Sequence, residues 1–255
     1  MHQLKIRDFS GEITFADEYY AYEIKRYDKH LPSFENPEEH EDETIQSDKP
    51  PIIPELRPLV IHIRSIKPTI RKARAIRINI PKDIPFVIDL SRCFFAHPYL
   101  YDVSSFFFMF NHKIVSISSI FAGCSRLTDL RPLKQLDMRY VTDASRAFSN
   151  CTSLSDLSPL RSWNFSSAET LENMFYHCGR ITRIQDIRDW YVPEGCNLSG
   201  FWLTRHLAEF DNANLPPSNT YLGIYWIDRY RNRQRRRRRM TRTTMESDDE
   251  YEQSD

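Results

Sequence analysis

The chain has 255 residues and 30.4 kDa, with 35 Lys+Arg balanced by 35 Asp+Glu. A hydrophobic content of 40% supplies one core with extensions, not a core running from end to end. The neutral total excludes a whole-molecule field of one sign, but it is a sum of unlike blocks: −7 over residues 1–50, +5 over 51–90, −1 over 91–228 and +3 over 229–255.

Residues 1–27 carry strand-like alternation at Leu4 and Ile6, a Ser10-Gly11 break, then Ile13 and Phe15, which predicts a small hairpin or extension. Tyr19, Tyr20, Tyr22 and Tyr27 follow, either packed on that hairpin or forming a sticky peptide, with packing the expectation. Residues 28–56, with Pro32, Pro37, Pro50, Pro51, Pro54 and the acidic cluster Glu38–Glu43, read as a flexible acidic linker. Residues 57–92 hold three strand-like runs, 60–63, 75–80 and 85–90, expected to form a β-rich N-terminal cap.

A 27-residue repeat organises residues 93–203. Phe121-x-x-Cys124-x-x-Leu127, Phe148-x-x-Cys151-x-x-Leu154 and Phe175-x-x-Cys178-x-x-Ile181 are successive copies. A weaker copy precedes them, with Phe94 in phase and His97 in the cysteine's place. The apolar sets Val141, Ala144, Ala147, Phe148, Cys151 and Ala168, Leu171, Met174, Phe175, Cys178 fall three and four apart, which predicts a short helix in each unit. Ser166-x-x-Glu169 has the form of a capping box for the second of these. The residues after each cysteine are too few for a helix and predict a short strand or turn. One such unit cannot bury its own apolar face, whereas stacked neighbours can, so the expected architecture is an α/β solenoid with period 27.

The chain resembles the leucine-rich-repeat-like proteins of the BspA type, in their surface-protein 26-residue-repeat branch. The resemblance rests on Ala147-Phe148-x-x-Cys151-x-x-Leu154-x-x-Leu157-x-x-Leu160-x-x-Trp163 and on Met174-Phe175-x-x-Cys178-x-x-Ile181, and covers about residues 93–203. It implies a leucine-rich-repeat-like solenoid used as a binding scaffold, in a family found in bacteria, protists and large DNA viruses. A virion or capsid-associated component is one role it allows. The repeat is 27 residues here, and Met1–Asp8 contains no apolar run of the kind that opens an exported member. The family's surface role is therefore not carried over. Five cysteines, an odd number, point the same way, to a reduced intracellular setting in cytoplasm, nucleus or virion.

Cys124, Cys151 and Cys178 are expected to form a buried column. Parallel side chains ~5 Å apart do not converge on a metal, and neither zinc nor a disulfide fits that geometry. Six glycines leave no room for a phosphate-cradling loop, and no nucleophile elbow or His-Glu-x-x-His is present. The reading is a non-enzymatic protein with no cofactor. No run approaches the ~18 apolar residues of a membrane helix, so no membrane partner is expected.

Leu198–Phe210 reads as a helix and Tyr221–Ile227 as a strand, together a C-terminal cap over 204–228. Residues 229–255 form an arginine arm with an acidic end, expected to be disordered in isolation. Arg229, Arg231, Arg233, Arg235, Arg236, Arg237, Arg238, Arg239 and Arg242 are candidates for binding an anion or nucleic acid. The leading expectation is a protein partner on the solenoid and an acidic partner on the arm. The alternative is a nucleic-acid-binding protein without sequence specificity, since an arginine run positions phosphates but reads no bases.

Overall fold

The computed structural model describes residues 13–16, 20–26, 59–73, 86–104, 113–181 and 185–201. Five strands form one mixed sheet in chain order: β1 (Ile13–Ala16), β2 (Tyr20–Arg26), β3 (Leu59–Ser65), β4 (Phe86–Asp89) and β5 (Ile114–Ser116). The first three pair antiparallel, and β3, β4 and β5 pair parallel. The hairpin is thus β1 with β2, and it belongs to the same sheet as the cap, because β2 pairs β3 from Tyr20↔Ser65 to Arg26↔Leu59. Leu4 and Ile6, the run 75–80, the linker 28–56 and residues 204–255 lie outside the described residues.

Period-two alternation decides which face of this sheet is buried. Tyr20, Tyr22 and Ile24 on β2 line up with Ile61 and Ile63 on β3 and Ile88 on β4, all buried. Tyr20 meets Phe94 edge-on, with ring centroids 6.2 Å apart, so the tyrosines close the first end of the repeat stack. Val60, Val87 and Val115 form a separate small cluster on the opposite face.

Beyond β5 the parallel ladder continues as single bridges, Ser116↔Asp143, Asp143↔Thr170 and Thr170↔Asn197, each one repeat from the last. The predicted short helices do not form: residues 141–151 and 168–178 are runs of consecutive tight turns. Ile120 N–H donates to Ile117 O, Ala122 to Ser119 and Cys124 to Phe121, and the next repeat does the same with Ala147 to Ala144, Ser149 to Arg146 and Cys151 to Phe148. The intervening amides leave the segment. Phe94, Phe121, Phe148 and Phe175 donate to the carbonyls of Ile120, Ala147, Met174 and Phe201, at 2.8–3.0 Å. A helix would consume all these donors internally and leave adjacent rungs unjoined. Spacings of three and four put the same residues inward in either conformation, which is why the pattern reads as helical.

Ser166–Glu169 is accordingly not a capping box. The Ser166 amide donates to Asn164 Oδ1 at 2.9 Å, a turn closed by the residue two before it. The segment expected as helix from Leu198 is in turns as far as it is described, to Phe201. Two of the repeats also contain a Pro-opened 3₁₀ turn, at Arg131–Gln135 and Ser158–Leu160.

Inside the stack the repeat positions form ladders. Phe94, Phe121, Phe148 and Phe175 stack at 5.5–5.6 Å between centroids, with interplanar angles of 2–22°. Leu127, Leu154 and Ile181 are fully buried alongside. Trp163 and Trp190 stack beside the phenylalanines, and their indole N–H groups donate to Leu133 O and Leu160 O at 3.1 and 2.8 Å. Buried polar atoms thereby find backbone partners one rung back, as an apolar interior requires.

Candidate functional site

The expected cysteine column exists. Cys124, Cys151 and Cys178 are buried and donate their S–H groups to Phe94 O, Phe121 O and Phe148 O at 3.0–3.2 Å. Burial pushes the Cys124 and Cys178 thiols up to about 12 and Cys196 to about 11, and raises Cys93 and Cys151 as well. Thiols so held are neutral donors at pH 7 and not ready nucleophiles. His97, the column's first member, is buried with Nδ1 at 3.0 Å from Phe95 O and Nε2 at 3.0 Å from Ser65 Oγ. Burial depresses its pKa below the usual 6.5.

A row of capping residues escapes motif reading, because its members differ in type. Asp89, Ser116, Asp143, Thr170 and Asn197 occupy one rung position, and each side-chain oxygen accepts the amide two residues on: Ser91, Ser118, Ser145, Glu172 and Ser199. A second row, Asp102, Asp129 and Asp156, takes the amides of Ser104, Arg131 and Ser158. These are Asx and Ser/Thr turns, fixing the same change of direction in each repeat. Burial raises the Asp89 carboxyl, but His62 Nδ1 at 2.9 Å and the Ser91 amide more than offset it and hold the pKa below the usual value. Asp186 pairs with Arg161 across one repeat, and Asp189 with Arg188 beside it. None of these rows gathers three metal-ligating groups among the described residues.

The turn ribbons carry the only left-handed backbone outside glycine among the described residues. Arg92, Ser119, Arg146 and Asn173, followed by Gly200, share one position with φ of +54 to +61°. Ala96, Gly123, Asn150 and His177 share another, with φ of +57 to +81°. A left-handed residue at the third place of a type II turn normally calls for Gly or Asn. Gly200 serves a further need: a Cβ there would strike Asn173 Oδ1.

All of these positions except His177 and Gly200 line an open groove of about 760 Å³ running along the stack. Ala96, Ala122, Gly123 and Ser149 form its floor, and Phe95 and Tyr176 stand at its two ends. Arg92 lies over Phe95 at 4.5 Å, and Tyr176 stacks on His177 at 4.0 Å. Arg92 and Arg146 are exposed on the wall, and no carboxylate lines the groove. Glu172, whose carbonyl accepts the Arg146 amide, directs its carboxylate to the side-chain amides of Asn173 and Asn197.

The sequence-predicted positions divide cleanly. Phe121, Cys124, Leu127, Phe148, Cys151, Leu154, Phe175, Cys178 and Ile181 come together in the core, at no more than 1% exposure. Arg229 through Arg242 lie outside the described residues. No helix among the described residues is long and apolar enough to cross a membrane.

The geometry defines a tandem-repeat protein with a 27-residue period, joined rung to rung through its backbone. Residues 89–208 match the model of a family described as "Mycoplasma protein of unknown function, DUF285", the BspA-like surface-protein repeat family. This segment is similar to that family at the coarse level that the Phe-x-x-Cys-x-x-Leu motifs indicate. No curated protein and no solved structure matches the chain.

Proposed function

We propose that the chain is a non-enzymatic scaffold, a leucine-rich-repeat-like solenoid that presents a rigid surface to a protein partner. The observation that carries this reading is the register of the stack: equivalent side chains from successive repeats form straight rows, held by amide-to-carbonyl bonds from one rung to the next. Rows of that kind give a partner a pre-organised surface and reduce the ordering entropy that binding costs. The buried, carbonyl-bonded thiols fit a structural role better than a nucleophilic one. The arginine arm, Arg229–Arg242, adds electrostatic capture of an acidic partner, and a virion or capsid-associated setting is compatible with both features.

A pull-down with the full chain tests the reading. A stable partner should be retained by the wild type and lost when exposed residues on one repeat face are exchanged. Absence of any stoichiometric partner would count against the scaffold. The nucleic-acid alternative has its own assay, filter binding of duplex DNA across a salt series. A steep log–log slope that vanishes on truncation after Ile227 would favour that alternative.

A further inference from the structure

We propose that the groove along the turn ribbons is the scaffold's docking site and that its occupant is an extended, acidic peptide segment of a separate protein. This inference rests on the scaffold reading and adds the face and the chemistry.

Three features of the groove select this occupant. First, the charge on its wall is of one sign. Arg92 and Arg146 project there, and the residues lining it include no Asp or Glu. Three other exposed arginines of the repeats are already matched to carboxylates: Arg131 to Asp129 and Arg139 to Asp137 at 2.7 Å, and Arg161 to Asp186. Second, the two arginines stand two rungs apart, a separation of ~10 Å at the ~4.8 Å spacing of hydrogen-bonded rungs. An extended peptide advances ~3.3 Å per residue, so carboxylates two or three residues apart reach both guanidinium groups. Third, the floor between them is low. Ala122 and Ser149 are small, while Phe95 and Tyr176 occupy the equivalent position one rung outward on each side. The bulky residues bound a stretch of three rung steps, ~14 Å, the length of about four extended residues.

The arginines also occupy a backbone position where their own conformation is unfavourable. Asn and Gly fill it in the later repeats, the two residue types that left-handed backbone accommodates best. The guanidinium groups are thus placed on the groove by the turn itself, which fixes where their side chains leave the backbone.

The test uses the full chain and a fluorescein-labelled ten-residue peptide alternating Glu and Ser, followed by anisotropy. The double variant Arg92→Asn/Arg146→Asn removes the wall charge and installs the residue that Asn173 shows to be compatible with the backbone. It should fold as the wild type does, checked by circular dichroism, and bind about tenfold more weakly. Arg126→Asn/Arg180→Asn removes the same charge away from the groove and should change affinity less than twofold. A peptide with Gln for Glu should bind at least tenfold more weakly to the wild type.

Equal weakening by both double variants would overturn the proposal, since capture by net charge or by the arginine arm would then explain binding. A single-stranded DNA probe that depends on Arg92 and Arg146 more than the peptide does would also overturn it. So would groove-dependent binding that appears only after the chain's own residues 243–255 are deleted, because the groove would then belong to that segment. If the pull-down partner is retained by Arg92→Asn/Arg146→Asn, the groove is refuted while the scaffold stands; if no partner is found for either form, the scaffold itself fails.

Discussion

Phe148 sits in the middle of the aromatic ladder and offers the sharpest test of the register. Its side chain is fully buried, with Phe121 5.6 Å away on one side and Phe175 5.5 Å away on the other. Phe148→Ala removes ~150 Å² of apolar surface, ~4 kcal/mol at 25 cal/mol per Å². The gap is flanked by rungs whose separation is set by backbone bonds from Phe121 to Ala147 and from Phe148 to Met174, so the walls cannot close over it. The expected cost is therefore at the upper part of the ~3–5 kcal/mol range for such truncations. Urea unfolding followed by tryptophan fluorescence reads it, with Phe95→Ala as the matched control. Phe95 is 43% exposed and stands at the groove's end, where the same truncation should cost less than ~1 kcal/mol. A Phe148→Ala cost below ~1.5 kcal/mol, or one equal to that of Phe95→Ala, would refute the stacking register. Phe148→Asp, which places a charge between two rungs, should leave no folded stack at all.

Three further outcomes follow from the site geometry. The folded His97 binds its proton less readily than an unfolded histidine, so its contribution to stability is present above pH 6.5 and lost as the pH falls below it. His97→Cys, which restores the residue of the later repeats, should flatten urea-derived stability between pH 7 and pH 5, and unchanged slopes would exclude His97 as the cause. Asp143→Ala deprives the Ser145 amide of its partner and should lower stability by about 1 kcal/mol, whereas Asp143→Asn should cost under ~0.5 kcal/mol because Asn197 performs the same task two rungs on. With all five thiols buried, a thiol reagent at pH 8 should label the native chain at least a hundredfold more slowly than the urea-unfolded chain. Rapid native labelling of Cys151 would contradict the closed column.

The period of 27, the inward phases of Phe121, Cys124 and Leu127 with their copies, and the burial of the cysteines as a column were legible in the linear chain. A repeated unit whose apolar face cannot be covered alone has to stack, and stacking places equivalent residues over one another. The capping row was not legible there, because Asp143, Thr170 and Asn197 perform one task with three side chains. What they share is an oxygen within reach of the amide two residues on, and neither charge nor hydropathy records that.

Conformation within the repeat is set by the backbone bonds, which replace the helix that the apolar spacing predicts with a run of turns. Ala144, Ala147, Phe148 and Cys151 face inward in a helix and in a run of turns alike. The choice depends on whether alternate amides, such as those of Phe121 and Phe148, have a carbonyl to meet on the next rung. That is a property of two repeats together. The groove is likewise a product of stacking, since Arg92, Ala122 and Tyr176 belong to different rungs and share no local motif. Local patterning therefore selected which residues lie inside, whereas contact between segments 27 residues apart selected how the chain turns and which side chains meet on its surface.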